Sequence, residues 1–231
     1  METNFENLNL KENLIKGVYI YGFKKPSKIQ VKGIQAINTG KDSIIQSQSG
    51  TGKTATYLLG ILNRLDDNDK CQGIIITPTR ELALQVYKVA SEICKFTDFK
   101  IELCTGGTSI NKNRNNLKKT NLVIGTIGRI NHMIQENRIN LYNIKLIALD
   151  EADDILNDGI SKELNNIFNK VPSGTQFCLI SATLSNNVFE LSKKIMHEPV
   201  KILLKKNEIP VDLIKQFYID TEIEELKFEV L

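Results

Sequence analysis

Apolar and polar positions along the chain fall into two rhythms. Leu8, Leu10, Leu14, Ile15 and Val18 recur at helical spacing, and Tyr21-Gly22-Phe23-Lys24-Lys25-Pro26-Ser27 ends that pattern. Pro26 disfavours helical dihedrals at Lys25. A second helix is therefore expected to start with Ser27 as its N-cap and to carry Ile29, Ile34 and Ile37 as far as Asn38-Thr39-Gly40. From there, short β-branched runs alternate with helical patterns. The runs cover residues 43–46, 73–77, 100–104, 122–125, 145–149, 176–180 and 200–204. Helices are predicted between them over 55–65, 81–96, 130–136, 162–169 and 187–196. Ile74-Ile75-Ile76 and Leu146-Ile147-Ala148-Leu149 show no alternation. Strands hidden on both faces read that way, and they belong to parallel sheets flanked by helices. The prediction is α/β, doubly wound, a mostly parallel sheet with helices on both faces.

Composition narrows the class. The chain has 231 residues, 41% of them hydrophobic and 25% charged, which excludes a disordered chain or a fibrous repeat. A net charge of +3 permits nucleic acid as a partner without requiring it. Cys71, Cys94, Cys104 and Cys178 form no close pair, so neither a zinc ribbon nor a redox dithiol is spelled. Buried thiols in a reducing compartment are expected. No basic-then-apolar leader opens the chain and no long apolar run follows, so no membrane partner is expected. Asp66-Asp67-Asn68-Asp69 lacks the Gly and Glu that a calcium loop needs and reads as a solvated turn. Residues 111–116 form an Asn-rich connector. Past Lys205-Lys206 come a charged linker, an apolar stretch over 213–219 and acidic residues over 222–225.

Candidate chemistry begins after the first strand, at Ser49-Gly50-Thr51-Gly52-Lys53-Thr54. The pattern G-x-x-x-x-G-K-[ST] is not met literally, because Ser47 stands where its first Gly belongs. What remains is Gly50, Gly52, Lys53 and Thr54 in strand-loop-helix context. Glycines let backbone amides turn toward a phosphate, and a helix N-terminus adds partial positive charge. Lys53 would reach the β and γ phosphates and the Thr54 hydroxyl would bind Mg²⁺. An ordinary Gly/Ser turn before a helix is the rival reading. The second candidate is Asp150-Glu151 at the tip of the 145–149 strand, where open α/β sheets bind ligands. Asp150 would hold Mg²⁺ and Glu151 would orient the attacking water, although acid pairs are also common at helix starts.

Asp150-Glu151-Ala152-Asp153 is similar to the defining motif of the DEAD-box RNA helicases, and the other motifs of their first domain follow in order. Residues 22–30 resemble the adenine-reading Q motif, with Phe5 standing 17 residues upstream of Gly22 as the family's isolated aromatic. Pro78-Thr79-Arg80-Glu81-Leu82, Gly106-Gly107, Thr126-Ile127-Gly128-Arg129 and Ser181-Ala182-Thr183 complete the set. The resemblance spans essentially the whole chain and is strongest toward the translation-initiation branch and its exon-junction relative.

The resemblance implies a RecA-like P-loop fold, with ATP and Mg²⁺ as cofactors and RNA as partner. It implies that Gln30 bonds the adenine edge, that Phe23 stacks on the base, and that Lys25, Ser49 and Thr51 also line the nucleotide. It places Pro78, Thr79, Arg80, Gly106, Gly107, Thr126, Gly128 and Arg129 at RNA phosphates. Ser181 and Thr183 would couple the carboxylate motif to the RNA-bound state. The family has Pro where this chain has Ile127, so a fixed φ is expected to be lost in an RNA-facing loop.

Three segments follow from the resemblance: 1–40, a helical Q-motif region; 41–205, the ATP-binding core; and 206–231, a linker and the start of a second RecA-like domain. The arginine finger of that second domain is not spelled in the chain. The isolated piece is therefore expected to bind nucleotide weakly and to be nearly inactive, since such fingers contribute roughly 10³–10⁵ in rate. A scaffold of the initiation-factor type and a cytoplasmic location are implied, or a nuclear one for the exon-junction relative. A non-catalytic half-enzyme that docks RNA or a scaffold is the reading from another class. A GTPase is a third, opposed by Gln30 because guanine reverses the hydrogen-bond pattern at the six-position.

Overall fold

The computed structural model describes residues 3–47, 50–107, 117–157, 161–203 and Ile219. Ser49, the connector 111–116 and, Ile219 apart, the region past Leu203 lie outside the described residues.

A turn of 3₁₀ helix at Phe5–Leu8 precedes α1 (Glu12–Tyr21) and α2 (Lys28–Asn38). The strands are β1 (Ser43–Gln46), β2 (Gly73–Thr77), β3 (Ile101–Cys104), β4 (Leu122–Thr126), β5 (Leu146–Leu149), β6 (Gln176–Ser181) and β7 (Val200–Leu203). Between them run α3 (Lys53–Arg64), α4 (Arg80–Ile93), α5 (Ile127–Gln135), α6 (Ala152–Asn157), α7 (Ser161–Phe168) and α8 (Asn186–Ile195). All strand pairings are parallel, in the order β3-β4-β2-β5-β6-β1-β7.

The unalternating apolar runs explain the layering. Successive residues point to opposite faces of a strand, so a strand covered on both sides needs apolar residues at every position. Ile45, Ile75, Ile124, Ala148, Cys178 and Ile180 pack under α1–α4. Their neighbours Ile44, Ile74, Ile76, Val123, Ile147, Leu149 and Leu179 pack under α5–α8. Two cores thus sit on one sheet. The four cysteines are buried and free, and burial pushes the Cys71, Cys94 and Cys178 thiols up to about 12.

Local chemistry sets the element ends. Gly22, at φ 108°, closes α1, its N–H reaching the Tyr19 and Val18 carbonyls. Ser27 caps α2 as predicted, in a reciprocal box with Gln30. Three expectations need correction. Leu8 and Leu10 are buried but lie outside α1, because Asn9 takes a left-handed conformation (φ 52°) that interrupts the helix. Helix α6 was not predicted, since its six residues are too few to show a period. Ile127 is not in a loop: it is the first residue of α5, 5% exposed and packed in the core. The first helical position is where proline fits best, so the helix itself supplies the φ that a proline would fix.

A parallel sheet delivers every strand's C-terminal end to one edge. That edge holds all the described candidate site residues except the Q-motif group, of which Gln30 reaches it from α2.

Candidate functional site

At the tip of β1 the Ser47 N–H donates to the Ser181 carbonyl (3.1 Å), extending the β1–β6 ladder by one rung. The chain then turns through Gly50 (φ 81°) and Gly52 (φ 90°), conformations open to glycine at no steric cost. The Ser47 and Thr51 hydroxyls contact each other, and the Thr56 hydroxyl donates to the Gly52 carbonyl (2.9 Å). Lys53 opens α3 and is only 7% exposed. Its ammonium lies 3.0 Å from Glu151 Oε1, a residue 98 positions away.

Glu151 makes that contact from a left-handed backbone (φ 49°), which costs a non-glycine residue about 1–2 kcal/mol. The turn swings Glu151 toward Lys53 and leaves Asp150 pointing inward, 3% exposed. Asp150 Oδ2 accepts the Tyr57 hydroxyl (2.6 Å) and Oδ1 accepts the Glu151 N–H (3.1 Å). Burial pushes the Asp150 carboxyl up to about 6, with the Tyr57 bond and Lys53 opposing it and Glu151 adding to it. Lys53 and the acid pair therefore share one cleft.

Behind them, Asp153 on α6 accepts from both the Thr183 N–H (3.1 Å) and the Thr183 hydroxyl (2.7 Å). The fully buried Ser181 donates to the Thr183 carbonyl (2.6 Å). Burial works to raise the Asp153 carboxyl, but the bonds from Ser181 and Thr183 outweigh it and hold the carboxyl below its usual range.

Of the Q-motif residues, Gln30 reaches the same cleft. Gln30 is 3% exposed; its Oε1 accepts the Ser27 N–H (2.8 Å) and its Nε2 is turned to the Gly-rich loop. A Cβ on Gly52 would lie 2.8 Å from that Nε2, so glycine there makes room for Gln30. The amide is thus pinned by the cap of its own helix. Phe23 is half-buried, with Tyr21 stacked on it (5.3 Å, 29°) and the buried Phe5 at its edge (6.3 Å, 60°). Lys25 is exposed.

The β2–β3–β4 end is built differently. Thr79 caps α4, and the exposed Arg80 follows as its first residue. The Arg80 guanidinium lies against the end of β3: a Cβ on Gly106 would sit 2.6 Å from Nη2, and one on Gly107 3.1 Å from Nη1. Pro78 is half-buried beside it. Thr126 precedes α5 without a side-chain cap, Gly128 is exposed and Arg129 half-buried. Two helix N-termini therefore open side by side.

Tyr57 and Asp153 were not anticipated as site residues. Tyr57 lies three positions after Thr54 on α3, a spacing that puts the two on a common side, and Asp153 follows the acid pair on α6. Polar residues at that spacing from a candidate ligand were the available clue.

Thr54 and Asp150 fit a magnesium ion. Both offer hard oxygens, and both meet the same Tyr57 hydroxyl. Magnesium uses one or two carboxylates plus substrate phosphates, so it needs no larger cluster, and none of three or more ligating side chains exists among the described residues. Also among the described residues, no helix is long and apolar enough to cross a membrane.

Taken together, a parallel sheet, a Gly-rich loop opening a helix and an acid pair two strands away define a RecA-like, P-loop domain. The DEAD/DEAH box helicase family model matches residues 27–191, and the chain belongs to that family. It is 43% identical to the ATP-dependent RNA helicase FAL1 of Kluyveromyces lactis, over 100% of this chain and 59% of the relative. To the ATP-dependent RNA helicase eIF4A of Saccharomyces cerevisiae it is also 43% identical, over 98% of this chain and 58% of the relative. The chain thus spans under two thirds of these relatives. The crystal structure of a DEAD box protein from the hyperthermophile Methanococcus jannaschii superposes with a TM-score of 0.83 at 36% identity, covering 90% of this chain and 58% of that one. S. cerevisiae Dbp5 bound to RNA and ADP BeF3 gives a TM-score of 0.83 at 34% identity, over 92% and 55%.

Proposed function

We propose that this chain is the N-terminal, ATP-binding domain of an ATP-dependent RNA helicase acting in translation initiation. In this reading residues 41–205 form the ATP-binding core, carrying 1–40 as the base-reading region and 206–231 as the lead into a second RecA-like domain. The observation that carries it is the approach of Lys53 to Glu151, which brings the phosphate-binding loop and the acid pair into one cleft.

Lys53 leaves Glu151 to neutralise the β and γ phosphates while the amides of Gly50 to Thr54 cradle them. Thr54 and Asp150 would hold Mg²⁺, whose chemistry is to offset charge on the phosphate oxygens. Glu151, released from Lys53, orients the attacking water. Gln30 and Phe23 take the adenine, the freed amide edge reading its donor and acceptor. Arg80, Arg129 and the amides of Gly106, Gly107, Thr126 and Gly128 grip RNA phosphates, and Pro78 and Thr79 shape that surface. Asp153, Ser181 and Thr183 tie the acid strand to the β6 tip, so a shift on one side is felt on the other. The second domain would close over both ligands, and a scaffold of the initiation-factor type would hold the two halves. A cytoplasmic location accompanies this role; a nuclear, RNA-processing paralogue is the second reading, because the chain is as similar to a helicase named FAL1 as to one named eIF4A.

The test is a titration of ATP, ADP and GTP with Mg²⁺ against the wild type, Gln30→Glu and Gln30→Ala. The wild type should prefer ADP and ATP over GTP. Gln30→Glu keeps an acceptor for the Ser27 cap but loses the donor, so it should lose adenine preference without losing stability. Gln30→Ala should lose both, at about 1 kcal/mol of stability. Equal affinity of the wild type for GTP and ATP would refute the reading.

A further inference from the structure

We propose that Tyr57 is a positioning residue for the nucleotide site. Its phenol hydroxyl orients Asp150 and joins that carboxylate to Thr54, presenting two oxygen donors as one magnesium-ready unit. The inference rests on the nucleotide-binding reading above and concerns a side chain that reading does not use.

Tyr57 is fully buried in the core beneath α1–α4, where its ring packs as a phenylalanine would. A hydroxyl in such a place is costly unless it is bonded. Here it donates to Asp150 Oδ2 at 2.6 Å, a charge-assisted bond, and also meets the Thr54 hydroxyl. Thr54 and Tyr57 are one helical turn apart on α3, so the helix fixes their spacing. The second Asp150 oxygen accepts the Glu151 N–H, so the carboxylate is held at both ends and cannot turn about its Cβ–Cγ bond.

The result is a division of partners. Lys53 pairs with Glu151, and Tyr57 pairs with Asp150. Without the phenol, the Asp150 carboxylate would be free to rotate toward the Lys53 ammonium and compete with Glu151 and with phosphate for it. The hydroxyl keeps the two acids in separate roles before any ligand arrives.

The experiment compares ADP binding to the 231-residue wild type and to Tyr57→Phe, by calorimetry, in millimolar Mg²⁺ and again in EDTA. Thermal melting checks that the variant is folded. Affinity in EDTA is expected to agree within about twofold, while the tightening produced by Mg²⁺ falls about tenfold, the scale of one hydrogen bond to a charged group. Electron paramagnetic resonance of Mn²⁺ with ADP gives a second readout, with the protein-bound spectrum of the wild type altered in the variant. Equal Mg²⁺ tightening and an unchanged spectrum would overturn the proposal. So would an equal loss with and without metal, which would make Tyr57 a packing residue only. Absence of ADP binding by the wild type would instead bring down the nucleotide-site reading itself.

Discussion

The two halves of the sheet's C-terminal edge solve different problems with different materials. At the β1–β6–β5 end, buried charged side chains are tied to partners distant in sequence: Lys53 to Glu151, Asp150 to Tyr57, Asp153 to Thr183. At the β2–β4–β3 end the cation Arg80 is exposed, and it leans on glycines rather than carboxylates. Chemistry on a phosphate needs charges set in place where water is excluded, since electrostatic stabilisation grows as the local dielectric falls. Holding a chain by its backbone needs only accessible donors at a fixed register. One end is pre-organised by burial and the other by helix N-termini.

The sharpest test of that contrast pairs Lys53→Ala with Arg80→Ala. Lys53→Ala removes the cation proposed to meet the phosphates and leaves Glu151 without its partner, so nucleotide affinity should fall ~100-fold or more. Arg80→Ala should spare nucleotide binding and lower the salt dependence of RNA binding by about one ion. Titrations of ADP and of single-stranded RNA at several salt concentrations measure both. Similar losses for both ligands in both variants would erase the distinction.

A smaller effect separates the buried end by pH. The Asp150 carboxyl is raised to about 6, so the native state holds that proton more tightly than the unfolded chain does. Stability from this group is full below its ordinary range and is lost as pH rises through 6. At pH 7.5 the dry carboxylate costs about 2–3 kcal/mol. Asp150→Asn keeps an acceptor for Tyr57 and removes the charge, at the loss of the acceptor for the Glu151 N–H, so relative to the wild type it should gain stability of that order between pH 4 and pH 7.5. The gain should fade as pH is lowered to about 4. Urea denaturation across pH checks this, and a constant gain would show that burial of the charge is not its source.

The halves also differ in how much of them is legible in the sequence. Strand runs such as Ile74-Ile75-Ile76 declare burial on both faces, and the Gly50–Thr54 and Asp150-Glu151 patterns declare their chemistry locally. Ser27 and Gln30 spell a capping box, yet the amide reads first as a base contact; the structure shows it held by its own helix. Tyr57 and the Arg80–Gly106 contact were hidden for a common reason. Each joins residues brought together only by the sheet order, and neither residue type is unusual where it stands. Helix α6 was hidden because its six residues are too few to repeat an apolar period.

The finest comparison lies within the exposed end, between two glycines. A methyl on Gly106 would meet the Arg80 guanidinium at 2.6 Å, the far end of a flexible side chain. Gly106→Ala should therefore change stability by no more than about 0.5 kcal/mol, since the surface cation can move, while displacing Arg80 and weakening RNA binding severalfold. Nothing lies within 4 Å of the corresponding position on Gly128, inside the first turn of α5. Glycine there costs about 0.5–1 kcal/mol relative to alanine, a cost the folded chain's own contacts do not explain. Gly128→Ala should raise stability by that amount. If an RNA phosphate meets the open N-terminus of α5, the added methyl stands in its path and RNA affinity should fall severalfold as stability rises. Opposite signs for the two readouts would assign the empty space to the nucleic acid. A rise in stability with unchanged RNA affinity would move the phosphate contact away from α5 and leave Arg80 with the β3 glycines as the grip at this end.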